Sequence, residues 1–114
     1  MIELRLPYPT STNDMLSRTA TGMRRSDAYT AWLIEAGWEA RRQRPGKIAG
    51  PYKISIHAVR PDNRRRDLGN LEKPVSDLLE SLGIIENDCL AEMISMRWVT
   101  SGEGITVILE PAEV

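Results

Sequence analysis

The chain contains one cysteine and one histidine among its 114 residues. A single cysteine excludes a disulfide framework, and together with a single histidine it excludes a zinc cluster built from these ligands. Long hydrophobic runs are also missing, since the longest apolar stretch is Ala31 to Ile34, far below the ~20 residues of a transmembrane helix. We therefore expect no membrane association. The N-terminal residues mix acid and base without a signal-type apolar segment, which predicts a cytoplasmic location.

The net charge is also close to zero, at −1, but the two signs are separated along the chain. Residues 1–66 hold 13 basic and 6 acidic residues, whereas residues 67–114 hold 2 basic and 10 acidic residues. A basic half suits a polyanion, and an acidic half suits divalent cations. Two ordinary solvated surfaces explain the same separation, so charge alone does not decide the function.

The length and an apolar content of 41% predict one globular domain over residues 1–114. Alternating apolar residues predict strands at 2–6, 52–59, 90–99 and 105–109, the last two joined as a hairpin. Apolar residues at helical spacing predict helices from Ser26 to about Arg44 and from about Leu71 to Leu82, with a loop at 10–14. The order β-α-β-α-β-β indicates an α/β domain with a small mixed β-sheet and two helices.

The second predicted helix carries two distinct faces. Its apolar face would pack on the sheet, and it consists of Leu71, Val75, Leu78, Leu79 and Leu82. Asn70, Lys73 and Asp77 form a separate polar stripe, which on most amphipathic helices is merely solvated. Here the stripe begins directly after Arg64, Arg65, Arg66 and Asp67, at a helix N-terminus, where free N–H groups and the helix dipole attract phosphate.

Asp67 and Asp88 are the best candidates for a divalent metal site, because phosphodiester hydrolysis by Mg²⁺ uses carboxylate ligands with open positions for water. The helix carries the chain roughly 18 Å away from Asp67. Residues 83–88, if extended, span roughly 20 Å and can bring Asp88 back. Cys89, next to Asp88, is expected to be a small buried residue that opens a strand.

The run RRRDLGNLEKPVSDLLESLGIIENDCL resembles the RusA family of Holliday junction resolvases, and the opening LPYPTSTN is similar to an early loop of that family. The resemblance implies a RusA-like endonuclease domain: a homodimeric, Mg²⁺-dependent enzyme that cuts four-way DNA junctions symmetrically, with Mn²⁺ as an alternative metal. It implies catalytic roles for Asp67, Lys73 and Asp88, with Asp67 and Asp88 as metal ligands. Lys73 would pair with the phosphate or the leaving oxyanion, and Asn70 and the three arginines Arg64, Arg65 and Arg66 would contact the nucleic acid.

Two positions depart from the family pattern. Gly69 stands where the family has its second aspartate, and Asn87 replaces the first residue of its Asp-Asp pair. Loss of that carboxylate predicts weaker metal binding, replacement by a substitute ligand (Asp77, Glu86 or Glu72), or a catalytically impaired relative that still binds branched DNA. A glycine required by a positive φ is a further explanation, and a metal-free protein-interaction domain is the remaining alternative for the chain.

Overall fold

The structure is a computed structural model that describes residues 1–9, 16–19 and 22–113, with only the backbone described for 16–19 and 22–24. Within these ranges the strands are β1 (Ile2–Leu6), β2 (Leu16–Thr19), β3 (Gly22–Arg25), β4 (Tyr52–Val59), β5 (Ala91–Val99) and β6 (Ile105–Pro111). The helices are α1 (Asp27–Arg42) and α2 (Glu72–Ser81), and short 3-10 turns lie at Leu68–Leu71 and Asp88–Leu90. The predicted α/β fold with a mixed sheet is confirmed.

The main sheet has the strand order β1-β6-β4-β5. Strand β6 is antiparallel to both β1 and β4, whereas β4 and β5 are parallel. The predicted hairpin of the last two strands is therefore wrong, because β4 lies between β5 and β6 in the sheet. Two parallel neighbours require a crossover, and α2 provides it. The chain from the end of β4 through α2 to the start of β5 therefore contains every residue of the predicted site.

A second element of β-structure was not predicted. Strands β2 and β3 pair as a separate antiparallel hairpin between β1 and α1. The loop predicted at residues 10–14 lies outside the described residues.

Both helices bury the faces that their apolar spacing predicted. Ser26 caps α1, where its Oγ accepts the Tyr29 N–H at 3.1 Å. Helix α1 buries Tyr29, Trp32, Ala36 and Ala40, and Leu33 is partly buried. Helix α2 and the turn before it bury Leu71, Val75, Leu78 and Leu79, with Leu82 partly buried. Neither helix has the length and apolar composition needed to cross a membrane.

The two edges of the main sheet differ. At the β1 edge, the side-chain amide of Gln43 accepts the Arg5 N–H at 2.8 Å and donates to the Arg5 carbonyl at 2.7 Å. The opposite edge strand, β5, carries Met93 and Ile94 with 51% and 45% of their surface exposed. The Gln43 side chain thus satisfies backbone hydrogen-bonding groups at the β1 edge, whereas the β5 edge exposes apolar side chains.

Candidate active site

Helix α2 brings three of the predicted polar residues together. Lys73 lies in its first turn and Asp77 lies one turn later, with Lys73 Nζ 2.9 Å from Asp77 Oδ1. The same Nζ lies 3.8 Å from Asp88 Oδ2. The chain therefore brings Asp88 back to the N-terminal part of this helix, as the length of residues 83–88 permits.

Contacts with the backbone fix the position of Asp88. Gly83, with φ 72°, reverses the chain after α2. Glu80 Oε1 then accepts the Asp88 N–H at 2.9 Å, and Asn87 Oδ1 accepts the Cys89 N–H at 2.9 Å. Glu80 was missed in the sequence, although it lies seven residues after Lys73 and so on the same helix face. Cys89 is exposed in this turn, so its predicted burial is wrong.

A buried tyrosine from α1 holds the central carboxylate. The Tyr29 hydroxyl donates to Asp77 Oδ2 at 2.8 Å, and Tyr29 is only 1% exposed. The sequence pattern of α1 gave Tyr29 no role at the site. Asp77 therefore uses one oxygen for Tyr29 and the other for Lys73. We call Tyr29, Lys73, Asp77 and Asp88 the lysine cluster.

The charges of this cluster follow from its contacts. Hydrogen bonding to Asp77 raises the pKa of Lys73 above its usual value, with a smaller contribution from Asp88. Burial, and then the hydrogen bond to Asp77, raises the pKa of Tyr29 well above its usual value. At neutral pH the lysine is therefore a cation, and the tyrosine is a neutral donor.

Asp67 lies at the entrance to α2. It caps the 3-10 turn Leu68–Leu71, and its Oδ1 accepts the Gly69 N–H at 3.0 Å. Gly69 does not have a positive φ, so the conformational explanation for a glycine at this position is wrong. A Cβ on Gly69 would lie 3.4 Å from Asp67 Oδ1, which leaves room for a side chain after a small adjustment. Asn70, in the same turn, is partly buried.

The donor chemistry of Asp67 and Asp88 fits Mg²⁺, which proteins commonly bind through one or two carboxylates together with several waters. Asp67 is exposed, and the side chain of Asp88 is 38% exposed. No group of three or more His, Cys, Asp or Glu suited to a metal ion occurs among the described residues. The candidate substitute ligands have other partners: Glu86 accepts the Gly50 N–H, and Glu72 accepts the Ser76 hydroxyl.

The loop between β4 and Asp67 carries the predicted phosphate contacts, and we call Arg60 to Arg66 the arginine loop. Asp62 organises it. One Asp62 oxygen lies 2.8 Å from Arg66 Nη2 and 3.1 Å from Arg64 Nε, and the other accepts the Arg64 N–H at 2.9 Å. Hydrogen bonds from Arg66 and from the Arg64 backbone hold the pKa of Asp62 well below its usual range.

Two aromatic side chains support the ends of the arginine loop. The guanidinium of Arg60 lies over the Trp98 ring at 4.5 Å, and that of Arg66 lies over the Tyr8 ring at 5.4 Å. Tyr8 and Trp98 are themselves stacked, with ring centroids 6.4 Å apart. The Arg66 side chain is consequently only 23% exposed, against 80% for Arg64.

A family model described as Endodeoxyribonuclease RusA matches residues 7–110 of the chain. The chain belongs to the RusA family. It is also 32% identical over 111 residues to a crossover junction endodeoxyribonuclease RusA of Aquifex aeolicus (strain VF5), an alignment that covers 94% of this chain and 86% of that protein. The family resemblance seen in the sequence, and the class of nuclease that it implies, are confirmed.

The RusA match includes both the lysine cluster and the arginine loop. In this RusA-family chain the basic loop is therefore joined to the lysine cluster through Asp67 and the short turn that opens α2. Cationic side chains for a polyanion and acidic side chains for a cation lie next to each other along the same crossover.

Proposed function

We propose that this RusA-family chain is a Mg²⁺-dependent endodeoxyribonuclease that resolves four-way DNA junctions by paired, symmetric phosphodiester hydrolysis. One observation carries the proposal: the Lys73 ammonium lies between Asp77 and Asp88, with its Nζ 3.8 Å from Asp88 Oδ2. A cation beside a partly exposed carboxylate, on the same crossover as a basic loop, is suited to a phosphodiester and a divalent cation.

Lys73 supplies a fixed positive charge in this proposal. Because hydrogen bonding raises its pKa, it stays protonated throughout the neutral range. It would contact the scissile phosphate or the departing oxyanion, where negative charge develops during cleavage. Its side chain is 54% exposed, so a DNA strand can reach it.

Asp67 and Asp88 would hold the metal ion, since their oxygens are accessible and chemically suited to it. When bound, Mg²⁺ or Mn²⁺ supplies activation of water and stabilisation of charge on the phosphate. Asp77 and Glu86, the candidate substitute ligands, would keep their present partners, Tyr29 and Lys73 for Asp77 and the Gly50 N–H for Glu86.

The arginine loop would bind the DNA backbone. Arg64 and Arg65 are exposed, and they would contact phosphates without reading the base sequence. Arg66 is held by Asp62 and Tyr8, so its contribution would come mainly through loop geometry and local positive potential. Asn70 would add a polar contact at the start of α2.

A homodimer would match the two-fold symmetry of a four-way junction, which offers equivalent strands for paired cuts. The outer edge of β5 pairs with no other strand among the described residues, and Met93 and Ile94 are exposed there. This favours a second copy as the occupant of that edge, because an edge strand can pair with its own symmetry mate. Light scattering on the wild type and on Ile94→Glu tests this arrangement, and a monomeric wild type would contradict it. As a nuclease that acts on DNA, the protein would work in the cytoplasm.

Gly69 favours a second candidate function, a catalytically impaired relative that binds branched DNA without cutting it. Loss of one family carboxylate removes a negative charge and an oxygen ligand from the turn that contains Asp67. The two candidates differ in a single measurable property, which is Mg²⁺-dependent cleavage of the bound junction.

Cleavage of a synthetic four-way junction, with linear duplex as the comparison substrate, tests the proposal. We expect Mg²⁺-dependent, paired nicks in the junction, no nicks after chelation with EDTA, and little cutting of linear duplex. Asp88→Asn should abolish cleavage and preserve or strengthen junction binding, because it removes a negative charge from a site that faces DNA.

Glu103→Gln, an exposed charge removal in the loop between β5 and β6, is the matched control and should cut like the wild type. Junction binding without cleavage by the wild type would select the impaired relative. Unchanged cleavage by Asp88→Asn would remove Asp88 from the mechanism, and the absence of salt-sensitive DNA affinity would reject both candidates.

A further inference from the structure

Lys73 has a long side chain that needs a partner to stay in one place. Its ammonium ends four flexible carbons and is 54% exposed, so an isolated Lys73 would sample several rotamers. The short contact of its Nζ, 2.9 Å, is with Asp77 Oδ1, whereas Asp88 Oδ2 lies 3.8 Å away. The position of the ammonium therefore depends first on Asp77.

Asp77 depends in turn on Tyr29. The Asp77 side chain is 22% exposed, and its second oxygen accepts the Tyr29 hydroxyl at 2.8 Å. With one donor on each oxygen, the carboxylate plane is fixed from both sides. Rotation of the carboxylate would break at least one of these two contacts.

Tyr29 is anchored in the core of the protein. It is 1% exposed, and its ring stacks on Trp32 with centroids 6.5 Å apart. The Arg25 guanidinium lies 5.7 Å from the centre of the same ring. Its hydroxyl thus projects from packed helix α1 to a carboxylate on α2, 48 residues further along the chain.

We propose that Tyr29 is a positioning residue of the nuclease: through Asp77 it holds the Lys73 ammonium beside Asp88, where a phosphate would bind. The inference rests on the role proposed above for Lys73. Burial and the hydrogen bond to Asp77 raise the pKa of Tyr29, so it remains a proton donor at every pH at which the enzyme would work. Asp77, with both oxygens engaged, also acts as a positioning residue and not as a replacement metal ligand.

A purely structural role is the competing explanation, because the same hydrogen bond ties α1 to α2. Tyr29→Phe separates the two roles, since it removes only the hydroxyl and keeps the packed ring. Ser81→Ala is a matched control, because it also removes a single hydroxyl hydrogen bond of α2, the one from Ser81 Oγ to the Leu78 carbonyl, at the end of the helix away from Lys73.

The first measurement is single-turnover cleavage of the four-way junction by the full chain with saturating Mg²⁺. Tyr29→Phe should lower the cleavage rate about tenfold, the cost expected for one hydrogen bond to a charged group. The dissociation constant for the junction should not change, and Ser81→Ala should cut at the wild-type rate. In a Lys73→Ala background, Tyr29→Phe should cause no further loss, because both residues act through the same ammonium.

The second measurement needs neither DNA nor metal. Nitrogen-15 relaxation reports the order of the Lys73 ammonium group, and we expect lower order in Tyr29→Phe and Asp77→Asn but not in Ser81→Ala. An unchanged order in Tyr29→Phe would overturn the inference. So would an equal loss of rate in the presence and absence of Lys73.

The two measurements also separate this inference from the proposed function. Loss of Lys73 order in Tyr29→Phe would support the positioning role of Tyr29. If the wild type also bound junctions without cutting them, the proposed nuclease function would be overturned while the positioning role of Tyr29 stood. Thermal unfolding of the variants completes the comparison, and a rate loss that scales only with a lowered Tm would count against the positioning role.

Discussion

The lysine cluster and the arginine loop are both organised by an aspartate that contacts cations, but the two aspartates are held differently. Asp77 is bound by the core residue Tyr29, which lies 48 residues earlier in the chain. Asp62 is bound by Arg64 and Arg66, which lie two and four residues later on the same exposed loop. The first arrangement depends on how α1 packs on α2, and the second depends mainly on local sequence.

This difference corresponds to the two tasks proposed for the site. A charge that contacts a reacting phosphate has to be placed to within a fraction of an ångström, so support from the packed core is useful. A cation that binds backbone phosphates without base specificity tolerates variation in position, so surface contacts suffice. We therefore expect substitutions in the lysine cluster to change the cleavage rate, and substitutions in the arginine loop to change DNA affinity.

Lys73→Ala should produce the largest effect. Removing a cation from the place where negative charge develops should lower single-turnover cleavage about 10²- to 10³-fold. Junction affinity should fall much less, because the arginine loop is intact. Lys53→Ala, an exposed lysine removed from β4, is the control and should leave the rate unchanged. Equal losses of rate and affinity in Lys73→Ala would mean that the two regions are not functionally separate.

Arg64→Ala combined with Arg65→Ala should show the opposite behaviour. Two lost phosphate contacts should reduce the slope of log affinity against log salt concentration by about two and weaken binding about tenfold or more near physiological salt. The cleavage rate of the saturated complex should stay within a few-fold of wild type. Arg41→Ala with Arg42→Ala, at the end of α1, provides a charge-matched control. A normal salt slope in the Arg64 and Arg65 variant would contradict DNA contact by the loop.

The difference between local contacts and contacts made by packed helices also explains which features the sequence could predict. The apolar faces of α1, α2 and β4 follow from periodicity, because burial of one face repeats at a fixed spacing. The hairpin β2–β3 was missed because its strands, LSRT and GMRR, show little apolar alternation. The contact between Tyr29 and Asp77 was missed for another reason: it arises only when two helices pack, and no local spacing encodes it.

Gly69→Asp tests whether the metal site proposed at Asp67 and Asp88 lacks a ligand. The backbone at Gly69 is not left-handed, and a Cβ there is sterically acceptable, so the variant should fold. An added carboxylate two residues after Asp67 should lower the Mg²⁺ concentration needed for half-maximal cleavage by about tenfold, the effect of ~1.4 kcal/mol in binding. In Gly69→Asn the new side chain has nearly the same shape as aspartate but no charge, so the Mg²⁺ concentration for half-maximal cleavage should not change. Equal shifts in the two variants would rule out a metal-ligand explanation.

Asp62→Asn should produce the smallest effect, and it tests how the arginine loop is held. The pKa of Asp62 is lowered in the folded chain, so its charge contributes stability above its ordinary value of 3.8, and that contribution is lost as the pH falls through the folded pKa. Wild type should therefore have a slightly higher Tm than Asp62→Asn at pH 7. The difference should begin to shrink as the pH falls below 3.8, and it should disappear only when the Asp62 carboxyl is protonated in the folded chain. Because the contacts are exposed, salt should reduce the same difference. A difference in Tm that does not depend on pH would contradict a role for the Asp62 charge. It would mean that the loop is held mainly by the hydrogen bond to the Arg64 N–H, and that asparagine does not replace this bond.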